Sequence, residues 1–307
     1  MGETQRDLLI IGCGYSGRAI TRLALSRGLS VTGTCAHRDH LGQVAASGAE
    51  PLLLELGKTL ADDARRRELV RLVARHRYLI LAVGPERLAD SENFIDHTAD
   101  LVSAIGNVPL DAVVYLSSTG IYGNRDGSWV DENSPLRDDV GPRGVCRKVA
   151  EAALLTSGLP VRVLRLAGIY GPGRHIGLRM AGGQYRVIEA DPPLVVNRIH
   201  VDDLARATLI ALDSGADREI YLLADGVPAT LREVADCAAG LMGLPAPDGE
   251  PAAEARARMG EANFHLVADR KRCRNDKLIN DLGVVLDYPS YREGLRQALA
   301  ADGLLAD

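Results

Sequence analysis

Three glycines follow the first apolar segment in a spacing that suits phosphate binding. In "LLIIGCGYSGRAI", Gly12, Gly14 and Gly17 lie where a strand would turn into a helix. Gly12 permits the tight turn, Gly14 lets the backbone approach a pyrophosphate, and Gly17 lets the helix pack closely on the strand. The anion would then lie at the helix N-terminus, beside Tyr15 and Ser16. This pattern predicts dinucleotide binding, and a merely tight glycine turn is the alternative.

The end of the second apolar segment bears on which dinucleotide would bind. An Asp or Glu about 20 residues after such a loop usually holds the ribose 2′-hydroxyl of NAD. Here "GTCAHRDH" has no acid before Asp39 and places His37 and Arg38 there instead. Because an arginine makes charge-assisted contacts to a 2′-phosphate, we expect NADP, with NAD as the alternative. Arg38 could also be an exposed residue at the start of the next helix, with Asp39 as its cap.

Short apolar segments alternate with helical patterns through most of the chain. Most of the apolar segments are apolar on both faces, as expected for strands covered by helices on both sides. The predicted strands are Leu8–Ile11, Ser30–Thr34, Pro51–Leu54, Tyr78–Val83, Ala112–Leu116, Val161–Leu166 and Glu219–Leu223. The predicted helices are Ser16–Arg27, His40–Ala46, Ala61–Arg75, Glu92–Ile105 and Val145–Thr156. This alternation predicts an α/β fold with a Rossmann-type, doubly wound parallel sheet.

The pattern changes after residue 166, where Gly and Pro cluster in "GIYGPGR" and "DPPL". We therefore predict a nucleotide-binding domain over residues 1–168 and a smaller C-terminal substrate lobe over residues 169–307. The predicted strand at 219–223 would return to the main sheet. By topology, Ala82, Val83 and Gly84 after the fourth strand should line the cofactor cleft.

Composition and charge argue against several classes of protein. The 307 residues include 46% hydrophobic and 25% charged residues, with a net charge of −5. This mild acidity argues against a nucleic-acid partner, which would favour a basic face. The 5 cysteines lie far apart without a CxxC pair, which is typical of a reduced cytoplasmic protein without a zinc site. We expect no signal peptide and no membrane span.

Five stretches along nearly the whole chain resemble one enzyme family. They are the glycine loop, "VVYLSSTGIYG" at 113–123, "RKVAEAAL" at 147–154, "RLAGIYGPGR" at 165–174 and "NRIHVDDLARA" at 197–207. Together they resemble the extended and atypical short-chain dehydrogenases/reductases, the NAD(P)-dependent epimerase/dehydratase family. The resemblance implies a nicotinamide cofactor and a hydroxylated or keto small-molecule substrate, for example a nucleotide-activated sugar. A homodimer would be ordinary for the family.

The resemblance also implies catalytic roles. Thr119, or Ser118 beside it, matches the hydroxyl that hydrogen-bonds the reacting oxygen. Lys148 matches the lysine of the family's YxxxK pair, which lowers the pKa of the tyrosine and reaches the nicotinamide ribose. That tyrosine is absent, because position 144 is glycine. Water relayed by Thr119 and Lys148 could deliver the proton instead, and Tyr122 is either the nearest phenol for catalysis or a packing residue.

Further residues allow both a functional and a structural interpretation. Glu55, after the third strand, matches an acid that the family often places near the adenine. His200 could contact substrate, but a structural role is favoured, and Arg174 with His175 could equally bind an anion or lie in a solvated loop. Asp202 is predicted to be the N-cap of the helix that follows.

Two function hypotheses follow from these residues. The first is an NAD(P)-dependent oxidoreductase or epimerase with a non-standard proton relay. The second is a catalytically silent NAD(P)-binding sensor or structural protein. Retention of Thr119 and Lys148 favours the enzyme, whereas Gly144 favours the silent protein.

Overall fold

A seven-stranded sheet is the main architectural feature of the computed structural model, which describes residues 6–88, 91, 93–183, 185–264, 267–268 and 270–306. Its strands are β1 (Arg6–Ile11), β2 (Val31–Cys35), β3 (Glu50–Leu53), β4 (His76–Leu81), β5 (Ala112–Ser118), β6 (Val161–Leu166) and β7 (Glu219–Leu223). Their order across the sheet is β7-β6-β5-β4-β1-β2-β3. Strand β1 pairs in parallel with β2 and β4, as β2 does with β3 and β4 with β5. The predicted Rossmann-type α/β fold is confirmed.

Helices connect these strands and make up much of the rest of the chain. They are α1 (Tyr15–Ser26), α2 (Leu41–Ala46), α3 (Leu56–Ala61), α4 (Asp63–Ala74), α5 (Thr98–Ile105), α6 (Pro142–Thr156), α7 (Ile176–Ala181), α8 (Val201–Ser214), α9 (Leu231–Leu241), α10 (Ala252–Met259), α11 (Glu261–Phe264), α12 (Asp276–Asn280) and α13 (Tyr291–Ala301). Short strands also pair outside the main sheet. These pairs are 86–87 with 94–95, 129–130 with 272–273, 168–170 with 198–200, 187–189 with 249–251 and 195–196 with 229–230.

Two predicted helices differ from the observed ones for local reasons. The helix predicted over Ala61–Arg75 is α4, which begins at Asp63 because Asp62 is extended and its carboxylate accepts hydrogen bonds from the first N–H groups of α4. Helix α3, which ends at Ala61, was not predicted. The helix predicted from Glu92 begins only at Thr98. Phe94–Ile95 is instead a short strand, and Glu92 lies outside the described residues.

The chain divides into two compact units. The first comprises Met1–Ser118, Pro142–Arg165 and Leu204–Tyr221, and the second comprises Thr119–Gly141, Leu166–Asp203 and Leu222–Asp307. The units therefore alternate along the chain, whereas the sequence suggested one division near residue 168. Strand β7 does lie in the main sheet, at its edge.

Each unit has its own apolar core. In the first, buried side chains of the central strands, such as Leu9, Leu79 and Val113, cluster with Leu101 of α5 and Leu154 of α6. In the second, Ile176, Val234, Ala238 and Leu295 belong to a cluster built largely from α7, α9 and α13. The first core fixes the strand ends at which the predicted cofactor residues lie.

Candidate dinucleotide site and its relatives

The glycine loop has the geometry that its spacing predicts. Gly12 has a φ of +91°, and a Cβ there would lie 2.9 Å from the carbonyl carbon of Ala82. A Cβ on Gly17 would lie 3.1 Å from the Gly12 carbonyl oxygen, so this glycine permits close packing of α1 on the turn. Gly14 is exposed and precedes α1 as its N-cap, and a Cβ there would meet nothing within 4 Å. A dinucleotide pyrophosphate therefore fits at Gly14, beside the half-buried Tyr15 and Ser16.

Cys13 within this loop is a packing residue. Its side chain is 1% exposed and its Sγ lies 3.5 Å from the Thr21 hydroxyl. A Cβ on Gly33 would lie 2.9 Å from the same sulfur. Burial raises the pKa of the thiol, which disfavours the reactive thiolate. The Cys13 N–H donates to the Thr34 carbonyl at 2.6 Å, so the loop is tied to β2.

Charged side chains of both signs follow the ends of β2 and β3. His37 and Arg38 are exposed and begin two residues after the end of β2, and Glu55 is half-buried two residues after the end of β3. The Lys58 ammonium lies 2.5 Å from a carboxylate oxygen of Glu55. The hydrogen bond from Lys58 is the main cause that lowers the pKa of Glu55, and the charges of Lys58, His37 and Arg65 act in the same direction. The Lys58 charge is thus largely taken up by Glu55, whereas Arg38 is exposed after β2.

Asp39 does not cap the second helix. Residues Arg38–His40 form a 3₁₀ turn, and α2 begins at Leu41 with His40 as its N-cap residue. The alternative in which Asp39 caps this helix is therefore wrong, because the helix starts one residue later than predicted and His40 occupies the N-cap position.

The segment after β4 borders the glycine loop. The Ala82 N–H donates to the Ile11 carbonyl at 2.9 Å, and Val83 Cγ1 lies 2.9 Å from where a Cβ on Gly12 would be. Gly84 is exposed. The structure thus brings Ala82 and Val83 directly against the loop at the carboxyl ends of β1 and β4, where open α/β sheets bind ligands.

Helix α6 is fixed to the sheet by a buried ion pair. Glu151 is 3% exposed, accepts a hydrogen bond from the Ser117 hydroxyl and lies 2.9 Å from the Arg165 guanidinium. Ser117 belongs to β5 and Arg165 to β6. Because the helix begins at Pro142, Gly144 lies in its first turn and Lys148 follows one turn later on the same face.

Sequence reasoning missed Arg147 beside Lys148. Its Nη1 donates to the Val83 carbonyl at 2.9 Å and to the Tyr115 hydroxyl at 2.6 Å. One turn earlier, the Arg143 guanidinium lies over the Phe94 ring at 5.2 Å. The sequence pattern that could have identified Arg147 is its position three residues after Gly144, which places it on the helix face where the family has its tyrosine.

The hydroxyl-bearing candidates lie at and after the end of β5. Ser118 is the last residue of β5 and is half-buried. Thr119 is 7% exposed and opens the 3₁₀ turn Thr119–Tyr122. Tyr122 is 0% exposed within an apolar cluster that includes Val130 and Leu222. This burial favours the packing interpretation of Tyr122.

The start of α8 differs from its prediction. The helix begins at Val201 with Asp202 and Asp203 both in its first turn, so Asp202 is not the N-cap residue. Asp203 is buried and accepts hydrogen bonds from the backbone N–H groups of Asp287 and Tyr288, at 2.8 and 3.0 Å. These contacts join Asp203 to the segment at 287–288 within the second unit.

His200 and His175 are both engaged within the second unit. The His200 ring is buried, lies 3.9 Å from the Tyr288 ring centroid and has a pKa lowered mainly by burial. These contacts favour the structural role predicted for His200. His175 Nε2 lies 2.7 Å from an Asp302 carboxylate oxygen, while Arg174 is exposed.

The second unit contains a buried polar pair that the sequence did not reveal. Arg198 Nε and Asp225 Oδ2 are buried and lack a hydrogen-bond partner among the described residues. Burial is the main cause that raises the pKa of Asp225 to about 7, and the Arg198 charge acts against it. Burial likewise lowers the pKa of Arg198. These two side chains give this unit a polar centre.

Residues 8–224 match the sequence model of the NAD dependent epimerase/dehydratase family. The chain belongs to this family. It is thus an extended short-chain dehydrogenase/reductase of the oxidoreductase and epimerase type, and a nicotinamide cofactor suits its glycine loop. In the described residues, no helix is long and apolar enough to cross a membrane, and no cluster of three or more His, Cys, Asp or Glu side chains suits a metal ion.

Relatives within the family support this assignment. Protein YeeZ of Escherichia coli K12 is 26% identical over 216 residues, which cover 70% of this chain and 76% of YeeZ. A 3-diazoavenalumate denitrifying reductase of a Streptomyces species is 32% identical over 223 residues, which cover 69% of this chain and 73% of the reductase.

Solved structures show the same fold. A conserved protein of unknown function from Silicibacter pomeroyi DSS superposes with a TM-score of 0.82 at 32% identity, covering 96% of this chain and 98% of that one. A dTDP-glucose 4,6-dehydratase of Streptomyces venezuelae, solved with NAD and DAU bound, has a TM-score of 0.76 at 21% identity, with 96% of each chain covered. At that identity the second likeness concerns the fold alone.

Proposed function

We propose that this protein is an NADP-dependent oxidoreductase or epimerase that acts on a hydroxyl- or keto-bearing small molecule. The observation that carries the proposal is the open position at Gly14, directly before α1. The cofactor would supply hydride transfer. The chain's own residues would bind it through Gly12, Gly14, Gly17 and the N-terminus of α1.

The exposed Arg38 after β2, with no acid between the end of β2 and Asp39, supports NADP over NAD. We propose that Arg38, with His37, binds the 2′-phosphate and that Glu55 lies near the adenine. NADPH should then bind at least about tenfold more tightly than NADH, because a hydrogen bond to a charged group contributes about 1.5–3 kcal/mol. Calorimetry with both cofactors measures this ratio.

Two variants assign the preference to a residue. Arg38→Ala should remove most of the preference by weakening NADPH alone, while Arg71→Ala, an exposed arginine on α4, should leave it unchanged. Equal affinities for the two cofactors in the wild-type protein, or tighter NADH, would contradict the assignment of this segment.

Catalysis is proposed for Thr119 or Ser118 together with Lys148. The hydroxyl would hold the reacting oxygen, and Lys148 would reach the nicotinamide ribose and relay a proton through water, since Gly144 supplies no phenol. The streptomycete relative is named as a reductase, which supports a redox outcome for this chain.

Exposed Val145 and Val149, one turn apart on α6, support a homodimer.

Lys148→Met should lower any NADPH-dependent turnover at least about 100-fold, because general acid–base help and cofactor positioning are lost together. NADPH oxidation with a panel of ketones and nucleotide-activated hexoses such as dTDP-glucose provides the assay. Lys148→Arg keeps the positive charge and should retain more NADPH affinity than Lys148→Met. Unchanged turnover in Lys148→Met would remove Lys148 from the mechanism.

A silent NAD(P)-binding protein is the second candidate, favoured by Gly144. It would bind NADPH with the same preference yet turn over none of the panel. Gly144→Tyr distinguishes the enzyme from the silent protein. A tyrosine one turn before Lys148 would re-form the family's Tyr–Lys pair. NADPH-dependent turnover should appear or rise only if the other catalytic residues are in place.

A further inference from the structure

We propose that Arg147 binds the pyrophosphate–nicotinamide half of the cofactor and provides a positive charge opposite the glycine loop. This inference rests on the proposed function, because it requires a dinucleotide on that loop. The proposal is based on two observations. Val83 contacts the Arg147 guanidinium through its carbonyl and borders Gly12 through its side chain. Among the described residues, both hydrogen-bond partners of that guanidinium are neutral.

The Arg147 guanidinium is anchored through one nitrogen. Nη1 donates both to the Val83 carbonyl, at 2.9 Å, and to the Tyr115 hydroxyl, at 2.6 Å. The guanidinium carbon lies 5.3 Å from the Tyr115 ring centroid. In the part of the chain that the structure describes, Nη2 and Nε make no hydrogen bond. Two donor groups of a fixed, half-buried arginine are therefore available to a ligand.

Among the described residues, the contacts of the Arg147 guanidinium include no counter-charge. The Val83 carbonyl is neutral, and Tyr115 is completely buried. Burial is the main cause that raises the pKa of the Tyr115 phenol, so the phenol stays protonated and accepts the hydrogen bond as a neutral group. No ion pair joins Arg147 to a carboxylate within the described ranges. A partly buried cation with neutral partners favours an anionic ligand as its counter-charge.

The location of this cation fits a dinucleotide on the glycine loop. The Val83 side chain lies 2.9 Å from where a Cβ on Gly12 would be, and the carbonyl of the same residue holds Arg147. Nη2 lies 3.1 Å from where a Cβ on Gly84 would be. The Nη2 group, which makes no hydrogen bond among the described residues, thus lies beside Gly84 in the segment that borders the glycine loop. A pyrophosphate at Gly14 carries two negative charges, and an arginine fork suits its oxygens.

The experiment uses two probes that differ in the half of the cofactor they contain. NADPH contains the pyrophosphate bridge and the nicotinamide, whereas adenosine 2′,5′-bisphosphate lacks both but keeps the 2′-phosphate and adenine. Arg147→Met should weaken NADPH binding at least about tenfold, the loss of one charge-assisted contact. The affinity for adenosine 2′,5′-bisphosphate should remain within about twofold.

Matched variants isolate the charge. Arg147→Gln keeps a polar hydrogen-bond donor on a shorter side chain but has no charge, so it should lose NADPH affinity like Arg147→Met. Arg147→Lys should retain part of it. Arg143→Met, which removes the neighbouring arginine over Phe94, should change neither affinity. Tyr115→Phe, which releases the guanidinium from one anchor, should weaken NADPH by a smaller factor and leave the bisphosphate unchanged.

Calorimetry measures the affinity of each variant for both probes, and thermal melting confirms that each variant is folded. Unchanged NADPH affinity in Arg147→Gln, or equal losses for both probes, would overturn the role of Arg147 while leaving the proposed function in place. A wild-type protein that binds neither probe would overturn the proposed function itself, and the inference with it.

Discussion

Gly14→Val should abolish dinucleotide binding while leaving the protein folded. A Cβ at Gly14 would meet nothing within 4 Å, and the φ of −80° lies outside the left-handed region, so the backbone accepts a side chain. The isopropyl group would instead occupy the space from which a pyrophosphate approaches the N-terminus of α1. We expect NADPH affinity to fall at least about 100-fold, since the phosphate contacts are lost as a group.

Calorimetry with NADPH and thermal melting together test this expectation. Gly240→Val is a matched control, because Gly240 on α9 is also exposed and a Cβ there would likewise meet nothing within 4 Å. That variant should bind NADPH normally. Gly17→Val should lower the melting temperature instead, because its Cβ would lie 3.1 Å from the Gly12 carbonyl oxygen. Wild-type affinity in folded Gly14→Val would mean that the loop does not bind the cofactor.

Features that depend on local sequence were predictable. All seven predicted strands occur in one sheet, and the ends of β6 and β7 match the predicted Val161–Leu166 and Glu219–Leu223. Apolar segments between glycine or polar turns specify such strands without help from the rest of the chain. The glycine loop was predictable for the same reason, because its strand, turn and helix are contiguous.

Features that depend on tertiary contacts were not predictable. Arg147 and Tyr115 are 32 residues apart in sequence, and their hydrogen bond exists only because α6 packs beside the end of β5. The start of α5 depends on the pairing of 94–95 with 86–87, which competes with the helical pattern. The two alternatives for Tyr122 could not be separated from sequence, since burial in a cluster with Val130 depends on chain segments far apart.

The Glu151–Arg165 ion pair is another such contact, and it connects stability to the site. Glu151 lies one turn after Arg147 and Lys148 on α6, while Arg165 belongs to β6. Both side chains are almost fully buried, with 3% and 4% of their side-chain surfaces exposed. The position of the helix that carries Lys148 therefore depends on a contact buried behind it.

Arg165→Met should lower the free energy of unfolding by about 3–5 kcal/mol, because it leaves the Glu151 carboxylate buried. Among the described residues, the Ser117 hydroxyl would then be its remaining hydrogen-bond donor. Urea denaturation measures the change. Arg77→Ala is the control, since the Arg77–Asp111 pair is about as short at 2.8 Å but its side chains are 45% and 53% exposed. An exposed pair contributes about 0–1 kcal/mol, so this variant should lose little. The double variant Glu151→Leu/Arg165→Met should recover much of the loss, because no uncompensated charge remains buried. If Arg165→Met were no less stable than Arg77→Ala, the ion pair would not be what holds α6 to the sheet.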